Sequence, residues 1–165
     1  MFCNKGMIEL IPEGLCSYNY EIRSENFEGK VLYKNKKDQG ECIIGEEKFS
    51  IKTERFWDRE WKFIKDDQVI AIANKRGKYK FEFILDYKGR EYIIKQHWGG
   101  KITSKGSGCD ITLKRKHLGT RRAEISGQYD SHELLIMTTW LSGLIIKKSS
   151  EAAAASGAAG AAAAG

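Results

Sequence analysis

The chain has 165 residues and a formal net charge of +6, from 28 Lys and Arg against 22 Asp and Glu. That length suits one domain around one core, and the moderate positive excess fits an anionic membrane or nucleic acid as well as plain solubility. The four cysteines (Cys3, Cys16, Cys42, Cys109) form no CxxC pair and the three histidines (His97, His117, His132) supply no closely spaced ligands. This argues against a zinc site or other cofactor and for reduced thiols in a cytoplasmic protein.

Residues 150–165 stand apart. Glu151 to Gly165 holds ten Ala, three Gly, one Ser and one Glu, whereas residues 1–150 hold only Ala71, Ala73 and Ala123. The body, residues 1–149, has the bias of AT-rich coding and the tail that of GC-rich codons. The tail therefore reads as a linker, or as a cloning-derived or read-through extension, disordered because a short run with interleaved Gly is marginal as a helix. Without Glu151 the body carries +7.

Along the chain, Pro12 is the sole proline, so Gly, Asn, Asp and Lys must build the turns. Alternation of apolar and polar residues predicts strands near 8–11, 18–23, 30–33, 41–44, 48–52, 61–64 and 69–73. The clearest run sets Tyr79, Phe81, Phe83 and Leu85 on one face, with Lys80, Glu82 and Asp86 opposite. After Lys88-Gly89 the alternation resumes through Tyr92, Ile94, Gln96 and Trp98, and two such runs about a Gly-containing two-residue turn predict a β-hairpin. Further strands near 110–115 and 121–125 bring the total to about eleven, a pattern of a sandwich or barrel and not of an α/β fold.

The last element, about 130–148, is helical. Asp130-Ser-His-Glu133 has the form of a capping box. Nine large apolar residues then follow between Leu134 and Ile146 and leave no polar face; the gaps are Thr138, Thr139, Ser142 and Gly143, of which Thr and Ser can bond back to helix carbonyls. Lys147-Lys148 complements the negative end of the dipole. A helix apolar all round is buried or in a membrane. From Leu134 to Ile146 it reaches roughly 20 Å, short of a bilayer core of about 30 Å. The reading is a helix threaded through a closed β-barrel, with no transmembrane span.

This order of elements carries a family resemblance. A strand-rich body, then Arg121-Arg-Ala-Glu-Ile-Ser, an acidic helix start and Glu133-Leu-Leu-Ile-Met-Thr-Thr-Trp-Leu-Ser-Gly-Leu-Ile-Ile-Lys-Lys resembles the tubby C-terminal-like superfamily. The similarity is greatest to the small domains related to LURP-one proteins and phospholipid scramblases. Trp61-Lys-Phe-Ile-Lys-Asp-Asp-Gln-Val-Ile-Ala-Ile-Ala-Asn-Lys is similar too, and the resemblance covers roughly residues 25–148. It implies a closed antiparallel barrel of about twelve strands around a central hydrophobic helix. Members that are understood act at membranes, as phosphoinositide-binding tethers or lipid movers. No residue of a family binding site or calcium motif matches by position.

For function, the strongest basic cluster is Lys114-Arg-Lys-His117 with Arg121-Arg122. On a strand Lys114 and Lys116 share a face while Arg115 points oppositely. With Arg121 and Arg122 alongside they form a candidate patch for lipid phosphates, or simply a solvated outer face. Trp57, Trp61 and Trp98 with Phe56 and Phe63 are candidates for stacking single-stranded nucleic acid, a reading weakened by the mixed charges of Asp58, Arg59 and Glu60 and by the habit of alternating aromatics to form cores. Glu46-Glu47 and Asp66-Asp67 fall in turns, His97 has no spaced nucleophile, and Gly106-Ser-Gly108 is a loop and not a phosphate cradle, so no catalytic residue is assigned. The expectation is a monomeric, non-enzymatic module engaging anionic lipid or a protein. The alternatives are a lipocalin-like small-molecule carrier, which needs an empty lumen, and a protein-interaction scaffold.

Overall fold

The computed structural model describes residues 7–14, 17–34, 38–54, 59–77, 81–116 and 121–163, with the side chains of the terminal helix described as far as 156. The alternating runs form β1 (Ile8–Pro12), β2 (Tyr20–Arg23), β3 (Glu28–Lys34), β4 (Gln39–Ile44), β5 (Glu47–Lys52) and β6 (Glu60–Lys65). They continue as β7 (Gln68–Lys75), β8 (Glu82–Tyr87), β9 (Arg90–Gln96), β10 (Ile102–Gly106), β11 (Cys109–Arg115) and β12 (Ala123–Gln128), followed by helix α1 (His132–Ala163). Each strand pairs antiparallel with its sequence neighbours, and β12 closes onto β1 with Ile8 opposite Ile125. The fold is mainly β: a closed antiparallel barrel of twelve strands, counted over the described residues, enclosing a C-terminal helix.

Period-two alternation decides what enters the lumen. Leu10, Ile22, Val31, Cys42 and Phe49 point inward from the first five strands and are almost wholly buried, while Glu9, Lys30, Glu41 and Lys48 lie on the outer face. The predicted hairpin is β8–β9. Lys88 and Gly89 have φ of 53° and 70°, as a type I′ turn requires at both central positions. Asp66 and Asp67, at 49° and 60°, make the same kind of turn between β6 and β7.

Several details differ from the expectation. Strand β10 was not predicted, because its inward positions are Ile102, Ser104 and Gly106 and only the first is apolar. Glu82, expected in water opposite Phe83, is nearly buried and receives Arg76 at 3.4 Å. Trp98 does not continue the inward face of β9. That strand ends at Gln96, and the His97 amide closes on the Lys101 carbonyl at 2.7 Å. A 3₁₀ turn, Trp98–Gly100, then reverses the chain through Gly99 and Gly100, at φ of 82° and 81°, and Trp98 is thrown fully into solvent. Tyr79 lies outside the described residues.

Helix α1 fills the lumen. All thirteen residues from Leu134 to Ile146 are buried, including Thr138, Thr139 and Ser142. Those three hydroxyls bond back to carbonyls within the helix, Ser142 to Thr138 at 2.7 Å and Thr139 to Leu135 at 2.7 Å, so no polar atom of theirs is stranded. The cap differs from the capping box. Ser131, not Asp130, is the N-cap and accepts the Leu134 amide at 3.2 Å, while Asp130 meets Arg90 at 3.3 Å. The helix also does not stop near Lys148 but continues to Ala163. The barrel holds the first turns in place, so nucleation is already paid for and the strong helix former Ala extends the existing helix.

Candidate functional site

The barrel has two unlike ends. Connections at the end where α1 enters are short: four, two, two, two and two residues between strands, and three before the helix. Those at the end where α1 leaves have seven, four, seven, six, five and seven residues. Charge follows length. The connecting sequences of the exit end contain eleven Lys and Arg against four Asp and Glu; those of the entry end contain one Lys against five Asp and Glu. Among the described residues alone the exit-end connections hold six Lys and Arg against three Asp and Glu, so the connections at the two rims carry opposite net charge.

At the entry rim Glu133 locks the helix to the wall. Its carboxylate accepts a hydrogen bond from the Tyr87 hydroxyl and lies 3.0 Å from Lys65, which also reaches Glu47 at 2.9 Å. Burial alone would raise the Glu133 pKa, but Tyr87 and Lys65 outweigh it and hold the carboxyl below its ordinary range. The hydrogen bonds that Lys65 donates to Glu47 and Glu133 lift it well above the usual lysine range. At the exit rim Asp38 takes Lys147 at 3.3 Å and Lys148 at 2.5 Å, and Lys147 also meets Glu151 at 3.2 Å. Desolvation pulls the Lys147 pKa down, but Glu151 and Asp38 carry it above its ordinary value, so this nearly buried lysine stays charged.

Beside the emerging helix lies an open groove of about 700 Å³ between the β9–β10 turn and the end of β11. Lys101, Lys114, Arg115 and Lys116 line one side, and Ser149 and Ser150 of α1 the other. The four predicted lipid-binding residues divide here. Lys114 is exposed in the groove and forms no ion pair with a described residue. Lys116 is in the groove but spends its charge on Glu9 at 2.5 Å and Glu124 at 2.8 Å. Arg121 donates to the Ser17 carbonyl and lies over the Tyr18 ring at 5.2 Å. Arg122 is exposed beside Glu9, away from the groove. Arg115, expected to face away from Lys114, follows the last buried residue of β11, Leu113; past the core, its inward register brings it to the rim. Lys101 had no signal in the sequence except its place after Gly99-Gly100.

The other candidate constellations do not assemble. Trp61 and Phe63 face the lumen, where Phe63 meets Trp140 edge-on at 5.9 Å and Trp61 meets Phe83 at 5.1 Å; of the described members Trp98 alone is outside. Phe56, Trp57 and Asp58 lie outside the described residues. The His97 ring touches Thr103 Oγ1 at 2.7 Å, but that hydroxyl is buried in the wall of the barrel and the contact closes the base of the β9–β10 turn. Cys42 and Cys109 are free and buried, and burial pushes both thiols up, Cys109 to about 12. Cys3, Cys16 and His117 lie outside the described residues. Among the described residues no three His, Cys, Asp or Glu gather as a metal site, and no helix is long and apolar enough to cross a membrane.

The fold and its rims define a class: a meander barrel plugged by its own helix, with a basic groove where the helix leaves. Comparison of the chain with protein-family models, with curated proteins and with solved structures finds no match.

Proposed function

We propose that this chain is a non-enzymatic, tubby-like module that sits at the cytoplasmic face of a membrane as a monomer and engages anionic lipid, phosphoinositide included, with its exit rim. The carrying observation is the opposite charge of the two rims, which turns the basic end toward an anionic surface and the acidic end away from it. The groove with Lys101, Lys114 and Arg115 offers headgroup phosphates three cations that form no ion pair with a described residue. The order of barrel then apolar helix is the one the tubby-like resemblance implies and supports the same reading. The free buried thiols suit a reducing compartment. A lipocalin-like carrier finds no support, since Trp140 and its neighbours occupy the lumen. A protein scaffold using the same rim is the competing use.

Sedimentation with phosphatidylcholine vesicles, with and without a phosphoinositide, tests this. Binding is expected only with the anionic lipid. Reversing Lys101, Lys114 and Arg115 to Glu is expected to weaken it by about a hundredfold or more, at roughly 1 kcal/mol for each cation near the surface. Equal sedimentation with neutral and anionic vesicles, or indifference to the triple reversal, would refute it.

A further inference from the structure

Trp98 is the outlier of the surface. It is fully exposed, while the other exposed large apolar side chains among the described residues, Met7, Val69 and Ile93, range from 40% to 62%. It sits at the tip of a two-glycine 3₁₀ turn held at its base by the His97–Lys101 backbone bond and the His97–Thr103 contact. The turn therefore presents the indole instead of letting it fold back on the barrel. Gly99, Gly100 and Lys101, the next three residues, line the basic groove. An apolar ring with a polar N–H, carried on a turn that borders a basic groove, matches the interface of an anionic bilayer, where the ring enters the acyl boundary and the N–H stays among the headgroups.

We infer that Trp98 is a membrane-inserting side chain: with Lys101, Lys114 and Arg115 on headgroup phosphates, the Trp98–Gly100 turn enters the interface of an anionic bilayer. The inference rests on the proposed lipid-binding role of this rim and adds the residue that converts surface attraction into insertion. A bilayer is preferred over a protein partner on charge complementarity, because the connections around the turn are dominated by Lys and Arg.

The test uses the full chain, phosphatidylcholine vesicles with and without phosphatidylserine, and the same lipids brominated on their acyl chains. In a Trp57→Phe background, bromolipid is expected to quench tryptophan emission of the bound protein, and Trp98→Phe to abolish most of that quenching, since the remaining Trp61 and Trp140 are buried in the barrel. Trp98→Ala is expected to weaken binding to the anionic vesicles roughly tenfold, with an unchanged thermal unfolding midpoint. Binding that persists without Trp98-dependent quenching overturns insertion and leaves the electrostatic reading standing. Equal, Trp98-dependent binding and quenching on neutral vesicles upholds insertion and overturns the requirement for anionic lipid. Absence of binding to any vesicle overturns both.

Discussion

The Tyr33 hydroxyl donates to the Trp140 carbonyl at 2.5 Å, tying the wall of the barrel to the middle of the helix it encloses. The two rings stack at 5.0 Å, and the indole Nε1 returns a hydrogen bond to the Leu32 carbonyl at 3.1 Å. Room for this comes from two glycines. A Cβ on Gly143 would fall 2.1 Å from the Tyr33 hydroxyl, and one on Gly40 would fall 2.8 Å from the Trp140 Nε1.

Gly143→Ala tests that packing. In an open helix the change gains about 1 kcal/mol of propensity. Here it is expected to lose about 1–3 kcal/mol, because the clash is with a ring anchored at both ends. Tyr33→Phe alone removes one hydrogen bond, at about 1 kcal/mol. Urea unfolding of both single variants and the double is expected to give a coupling of at least about 0.5 kcal/mol, with the double less damaged than the sum; strict additivity would refute the contact.

The entry-rim lock predicts an acid limb. The folded pKa of Glu133 is depressed below its ordinary 4.5, so the folded state binds fewer protons than the unfolded chain. Its contribution is present in full above that value and is lost as the pH falls below it and through the folded pKa. In Glu133→Gln the fall of unfolding free energy with acid is expected to be shallower over that window. An unchanged slope in denaturant titrations would show that Tyr87 and Lys65 do not hold the carboxylate as described.

At the other rim, Asp38→Asn removes the carboxylate shared by Lys147 and Lys148. Lys147 is 6% exposed and, among the described residues, keeps only Glu151 as an ion-pair partner, so a loss of about 1–3 kcal/mol is expected. Lys147→Met in the Asp38→Asn background is expected to restore most of it, since the charge left with one partner is removed and the stem still packs. Failure of that rescue in thermal melts would place the cost elsewhere.

Burial raises both described thiols, so at neutral pH neither Cys42 nor Cys109 is a thiolate. Peptide-resolved alkylation is expected to label Cys42 and Cys109 only at the rate of global opening, and to speed up together with unfolding in Gly143→Ala. Fast labelling of Cys42 in the native protein would contradict a sealed lumen.

Much of the architecture is local and was legible. Alternation such as Phe83-Ile-Leu-Asp-Tyr87 is a property of one strand, and the absence of a polar face from Leu134 to Ile146 is a property of one helix. Strand β10 was hidden because Ser104, small and polar, fills an inward position in place of an apolar residue. Closure as an all-antiparallel meander nevertheless needs an even number of strands, a signal that eleven is one short.

The apolar pattern of the sequence was enough to determine a β-rich body and a helix that had to be buried. Only the tertiary structure decided which cations remain available. Lys114 and Lys116 look alike in the sequence, and the β11–β12 register sets Glu124 opposite Lys114; yet Glu124 pairs with Lys116, to which closure of β1 on β12 also brings Glu9, and Lys114 remains in the groove without an ion pair to any described residue. The tertiary structure also put Trp98 outside the barrel. The physical reason is the same in both cases: periodicity is set by neighbours along the chain, whereas an ion pair or an exposed rim depends on groups brought together by closure from distant parts of it.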